Sequence, residues 1–173
     1  SHTMAPVRLL AGHQLRSGCS LFSHLHLSAP FLLLPGDRFL VRPFSPVVTI
    51  VCCVILDAFP LKKARLEDRV EFLRTVSSAD ANSALLARIS RRDDQGIRLS
   101  QLAIESGSTP DHIQAALRKL TSEKATERHR DWLIGAEQFK AAVARTLQLV
   151  AEFHRSGERP VGQKVRYLRW PAR

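Results

Sequence analysis

Cys52 and Cys53 stand side by side in the apolar run PFSPVVTIVCCVILD, residues 43–57. Thiolates ligate zinc or exchange disulfides, and each use needs its own spacing. Neighbouring strand residues point to opposite faces, so the pair cannot close on one metal ion without distortion. Adjacent cysteines also fall outside ordinary disulfide geometry. No CxxC or Cys/His spacing accompanies them, and they are expected to be structural strand residues. His24 and His26 alternate in FSHLHL and share a strand face, where two imidazoles can hold a metal. No third ligand follows at a suitable spacing, and Cys19 is remote in pattern, so a surface face is expected. Asp93 and Asp94 read as a solvated turn. With no Ser/His/Asp set, carboxylate pair or Gly-rich phosphate cradle, the chain is expected to be no enzyme and to hold no cofactor or metal.

Cations offer a different chemistry. The chain has 26 Lys and Arg against 16 Asp and Glu, a net charge of +10 and a pI near 10.5. Such a balance favours polyanionic partners, nucleic acid first. The charge is uneven. Residues 1–60 hold four Arg against two Asp, whereas 157–173 hold five Lys and Arg against one Glu. His112, Gln114, Arg118 and Lys119 sit on the polar side of an expected helix. Lys124, Arg128, His129 and Arg130 follow in an expected hairpin. Both groups suit phosphate contacts, and both suit an ordinary solvated face.

The elements that must position these residues are legible in outline. Residues 7–12, 20–28, 37–44 and 47–56 are short apolar or alternating runs punctuated by RSG, AP and PGD, and read as strands. Strands at this spacing suggest a small barrel or sandwich. Four are few for closing one, and an open edge would invite self-association. From 58 the pattern turns helical, with Leu66, Val70, Leu73 and Val76 on one face.

Within 80–135, Asp80 or Asn82 can cap a helix carrying Leu85, Leu86 and Ile89. Ile97 can make a short strand, and Ser100 can cap a helix stopping at Gly107. Thr109, Pro110 and Asp111 open a third helix, with Ile113, Ala116, Leu117 and Leu120 as its apolar stripe. Two strands around a basic turn follow, with Trp132 as a core anchor. This order is the winged-helix plan. Residues 136–155 read as a long helix with Phe139, Val143, Leu147, Val150 and Phe153 down one face, and 156–173 as a basic, disordered tail.

The expected organisation is thus a vector-derived start at 1–6, a partial β-barrel domain at 7–57 and a linker with a helix at 58–79. A winged helix at 80–135, the trailing helix and the tail complete it. Three cysteines give no disulfide framework and point to a reducing, cytoplasmic setting. No apolar run approaches the roughly 20 residues of a membrane span, so no membrane is expected.

The stretch LLLPGDRFLVRPFSPVVTI…VILD, residues 32–57, resembles the third, β-barrel domain of the bacterial selenocysteine-specific translation elongation factors, a branch of the elongation-factor-Tu-like GTPases. GHQLRSGCSLFSHLHLSAP is similar to the preceding strands. The region from RLEDRVEFLRT to the helix ending at EFH looks like that family's first winged helix, and the likeness covers about 7–155. It implies selenocysteyl-tRNA, a selenoprotein mRNA hairpin and the ribosome as partners of an intact protein, with the first winged helix mainly a spacer. It also implies that Arg42, in the loop 42–49, lies where related factors approach the tRNA backbone. Intact members use GTP and Mg²⁺, but this sequence contains no GxxxxGK[ST] loop. The family has glycines at the positions of Val51, Cys52 and Cys53, where side chains would obstruct a bend. The tail from 156 does not match it. The rival reading is a winged-helix DNA-binding regulator with a β-rich N-terminal domain.

Overall fold

The computed structural model describes residues 2–43, 45, 48–78 and 80–156. It divides into two units, residues 1–84 with 104–107, and 85–103 with the region from 108 onward. In the first, β1 (Val7–Leu9) pairs antiparallel with β2 (Ser23–Leu25), and β3 (Arg38–Val41) pairs antiparallel with β4 (Val51–Val54). All four strands fall inside the runs expected to be extended.

The PGD turn sets the second pair. Asp37 N–H donates to the Leu34 carbonyl (3.1 Å), with Pro35 at the second position and Gly36 at φ 94 in the third. That is the type II signature, in which the third residue needs positive φ. An Asp37 carboxylate oxygen accepts from Leu34 N–H at 2.8 Å and fixes the turn. Gly36 N–H then bonds the Ile55 carbonyl (2.8 Å), and Ile55 N–H the Asp37 carbonyl (2.9 Å), starting the ladder.

The expected barrel is corrected by this arrangement. The strands form two separate two-stranded sheets, and no closed barrel exists among the described residues. Closure needs every strand paired on both sides with a consistent stagger. Here strands of three or four residues each satisfy a single neighbour. Leu10 is buried, whereas Leu32, Leu40, Val48, Ile50 and Val54 are exposed. Val51, Cys52 and Cys53, at the resemblance's glycine positions, form a regular strand in which half-buried and exposed residues alternate. In α1 (Leu66–Ser78), Val70, Leu73 and Val76 of the expected face are half-buried, whereas Leu66 at its start is exposed. Arg69 Nη2 ties the preceding loop by donating to the carbonyls of Leu61 (2.9 Å) and Lys62 (3.1 Å).

The second unit is built around one apolar cluster. Its elements are α2 (Ala81–Ser90) from Leu85 on, a 3₁₀ turn at Asp93–Gln95, β5 (Ile97–Arg98), α3 (Leu99–Ser106) as far as Ala103, α4 (Pro110–Ser122), β6 (Thr126–His129), β7 (Trp132–Gly135) and α5 (Ala136–Ser156). The strands form one antiparallel sheet in the order β5–β7–β6. Leu85, Ile89, Ile97, Leu102 and Leu133 pack with the α4 stripe Ile113, Ala116, Leu117 and Leu120, all buried.

The caps follow and depart from expectation. Asp80 is the cap of α2, its carboxylate accepting from Asn82 N–H (2.8 Å) and Ser83 N–H (3.2 Å). Ser100 is no cap, because β5 runs straight into α3 and Leu99 N–H bonds the Asp131 carbonyl (2.8 Å). Thr109 holds the extended N-cap backbone of α4, but its side chain makes no capping bond. Gly107, at φ 64, follows α3 as expected.

Trp132 is half-buried, outside the core that the sequence reading gave it. The expected long helix α5 is present, and its apolar face is turned outward. Phe139, Val143, Leu147, Val150 and Phe153 are exposed, and Gln138, Ala142 and Thr146 are the half-buried line. The N-terminal half of α5 packs on the 3₁₀ turn and the β6–β7 ribbon, aided by Arg145–Asp94 (3.6 Å). No helix among the described residues is long and apolar enough to cross a membrane.

α4 ends in a Schellman motif. Ala125 N–H bonds the Leu120 carbonyl (2.9 Å) and Lys124 N–H the Thr121 carbonyl (3.0 Å). Lys124 occupies the left-handed position at φ 54, where a side chain costs about 1 kcal/mol relative to glycine. Lys124→Gly is therefore expected to raise stability by about 1 kcal/mol, read as a shift of the urea-unfolding midpoint of the second unit.

Candidate nucleic-acid interface

α4 presents the sequence-predicted cations because its stripe is fully committed to the core. At 100° per residue, His112 and Lys119 fall on one exposed flank, and Gln114 and Arg118 on the other. Of these, the structure joins Gln114 to the hairpin. Arg128 Nη1 donates to Gln114 Oε1 (3.3 Å), and Arg128 Nε donates to the Arg130 carbonyl (3.0 Å). Gln114, Arg128 and Arg130 thus form one bonded group.

The hairpin is tight. His129 pairs with Trp132, leaving a two-residue loop, Arg130–Asp131. Arg130 stands at φ 52, a left-handed conformation that L side chains adopt at a cost. His129 is exposed on β6 beside this loop. Lys124 does not belong to the hairpin: it is the residue after the α4 cap. Arg42 lies in the other unit, exposed just after β3. Arg118 and Lys119 are also exposed on α4.

Sequence reasoning missed Arg98. Register across β5–β7 sets Arg98 opposite Trp132, and its guanidinium carbon lies 5.1 Å from the indole centroid, a cation–π distance. Arg98, Ser100, Gln114, Arg130, Asp131 and Trp132 line a cleft of about 540 Å³ between α3, the start of α4 and the hairpin loop. No local signal marks Arg98, since its partner is 34 positions away in the chain.

This face is mixed in charge. Residues 110–135 hold five Lys and Arg against Asp111, Glu123, Glu127 and Asp131. Arrays that track duplex phosphates work by accumulated cation contacts, so this face suits a short, shaped contact better than a long electrostatic one.

The other candidates stay apart from this site. The His24 and His26 rings lie against each other with centroids 4.3 Å apart and planes tilted by 45°, and no group of three His, Cys, Asp or Glu capable of holding a metal occurs among the described residues. Cys19, Cys52 and Cys53 are free thiols. Cys52 is exposed opposite Leu40, and Cys53 is half-covered opposite Phe39.

No protein-family model matches the chain. It is 23% identical over 155 residues to the selenocysteine-specific elongation factor of Desulfomicrobium baculatum, a match covering 88% of this chain and 24% of that relative. The chain therefore spans about a quarter of the relative it matches, and the likeness is to a translation factor.

Two measurements test the peripheral groups. Burial, and then the neighbouring Cys52, push the Cys53 thiol above its ordinary pKa. Alkylation with iodoacetamide at pH 8, followed by mass spectrometry, should label Cys52 about fivefold or more faster than Cys53, since the thiolate reacts. Burial, followed by His26, Arg69 and Arg8, holds His24 below its ordinary 6.5. The unfolded chain then binds the proton more readily, so this contribution is complete above about 6.5 and is lost as pH falls through the folded value. Urea unfolding of the first unit should show lower stability at pH 5.5 than at pH 7.5, and His24→Gln should reduce the difference.

Proposed function

We propose that this chain is part of a translation elongation factor for selenocysteine incorporation and that it faces RNA. In this reading residues 80–135 form a winged helix, with α3 and α4 as its helix-turn-helix and β6–β7 as its wing. The observation carrying the reading is the conjunction of that element order, with its β5–β7–β6 sheet, and a 155-residue likeness to a selenocysteine-specific elongation factor. Neither half suffices alone: helix-turn-helix units serve many partners, and fold does not imply function. The partners proposed are selenocysteyl-tRNA, the selenoprotein mRNA hairpin and the ribosome, reached within an intact factor in the cytoplasm.

The chain acts here by binding, with no catalysis of its own. GTP and Mg²⁺ do not fit it by the elongation-factor route, because that route needs backbone N–H groups and a lysine from a GxxxxGK[ST] loop, and the sequence has none. The contact residues proposed are Gln114, Arg118, Arg128, His129 and Arg130, with His112 and Lys119 on the opposite flank, Lys124 at the helix end and Arg42 from the other unit.

Fluorescence anisotropy with selenocysteyl-tRNA, a selenoprotein mRNA hairpin and random duplex DNA, at about 50 and 200 mM salt, separates the readings. At the higher salt, binding to at least one of the two RNAs should be about tenfold tighter than to DNA. Tighter binding to duplex DNA at both salts would favour the regulator and overturn the translation-factor proposal.

A further inference from the structure

We propose that the cleft between α3, α4 and the hairpin loop is a pocket for one unpaired RNA nucleotide, with the Arg98–Trp132 stack as its platform. The inference rests on the RNA-facing reading and deepens it: neither the resemblance nor the comparisons assign a site to this module.

Four observations carry it. The volume, about 540 Å³, falls within the range of small-ligand sites and leaves room for one nucleotide. Its wall holds an aromatic ring and a guanidinium already stacked at 5.1 Å, and splayed RNA bases stack on both kinds of plane. Polar groups converge on the same space from three elements. These are Ser100 of α3, Gln114 of α4, and Arg130 and Asp131 of the loop. Finally, the loop backbone is held in place: Arg130 keeps φ 52, its carbonyl accepts from Arg128, and the Asp131 carbonyl accepts from Leu99 N–H. The positive φ belongs to the two-residue hairpin turn, and together with these bonds it holds Arg130 and Asp131 at the cleft mouth.

The chemistry favours a base over a phosphate as the group in the cleft. Asp131 lines the cleft and brings a negative charge to its mouth. It repels phosphate but accepts hydrogen bonds from the N–H edge of a base, and the Gln114 amide both donates and accepts. Arg130 can meet the phosphate flanking the flipped nucleotide. The balanced charge of 110–135 points the same way, since little affinity is available from phosphates alone. A paired base is withheld inside its helix, so the ligand is a loop, bulge or end.

The test uses the full chain and two fluorescein-labelled RNAs of one stem sequence. One is a ten-base-pair hairpin with a four-purine loop, and the other is the blunt duplex. Anisotropy should show the hairpin bound at least tenfold tighter. Arg98→Ala and Trp132→Leu should each lower hairpin affinity by about tenfold, the scale of one lost base stack, with duplex binding unchanged. Trp132→Phe, which keeps a ring, should retain most of the preference. Arg118→Ala with Lys119→Ala should weaken both RNAs equally, because phosphate contacts do not distinguish them. A merely destabilised fold would lower both affinities together, so the hairpin-to-duplex ratio isolates the pocket. RNA binding with no hairpin preference, or a preference that survives Arg98→Ala, overturns the pocket and leaves the RNA-facing reading standing. Absence of binding to either RNA overturns both.

Discussion

Burial of one stripe on α4 governs what this molecule can present to a partner. Ile113, Ala116, Leu117 and Leu120 point into a cluster with Ile89, Ile97, Leu102 and Leu133. Each large aliphatic side chain so buried contributes about 1.5–3 kcal/mol, so three of them from α4 together outweigh any single local penalty. That inequality explains why the helix tolerates a left-handed Lys124 at its end and an N-cap threonine whose hydroxyl makes no capping bond. It also fixes the azimuth of α4. Once the stripe faces inward, Gln114 and Arg118 have one exposed flank to occupy, and the bond from Arg128 follows from where β6 lies beside that flank.

β7 transmits the same constraint to the other wall of the cleft. It is the central strand of its sheet, with Leu133 in the core and Trp132 one residue earlier on the opposite face. Burying Leu133 therefore turns the indole away from the cluster, where Arg98 from β5 can cover it. Gly96 precedes this pairing at φ 63, and a Cβ there would meet the Leu133 carbonyl at 2.7 Å. Its lack of a side chain lets β5 approach β7 closely enough for the Arg98–Trp132 stack to form.

What the sequence made legible was local. The α4 stripe was readable because a 3.6-residue period spells out a buried face, and PGD because proline and glycine each demand a specific dihedral. Asp80 as a cap and the strand positions follow from similarly short-range chemistry. What stayed hidden was set by distant pairing. A barrel depends on which strands find second neighbours, and β1 to β4 instead pair two by two. Trp132 read as a core anchor because large aromatics usually are, whereas the register with Arg98 decided otherwise. The amphipathic stripe of α5 was legible, but not the direction it faces. Contacts with the 3₁₀ turn and the ribbon select the adjacent line of Gln138, Ala142 and Thr146 instead. At the site, residue types were readable but grouping was not. Lys124 and Arg130 are both basic and six positions apart, yet one ends a helix and the other tops a hairpin.

The distribution of charge narrows the mode of recognition. A net charge of +10 for the whole chain suggests a strong electrostatic binder, but it is not concentrated on α4 and the hairpin, where five cations meet four carboxylates. Affinity from counterion release scales with the number of phosphates neutralised, and a face this balanced neutralises few. A base stack contributes about 1–3 kcal/mol and is insensitive to that balance. In the RNA-facing reading proposed above, shape and stacking then supply discrimination, and the acidic residues weaken attachment to uninterrupted duplex. A contact of that kind needs its polar groups held before the ligand arrives, which the Arg128 bonds to Gln114 and to the Arg130 carbonyl provide.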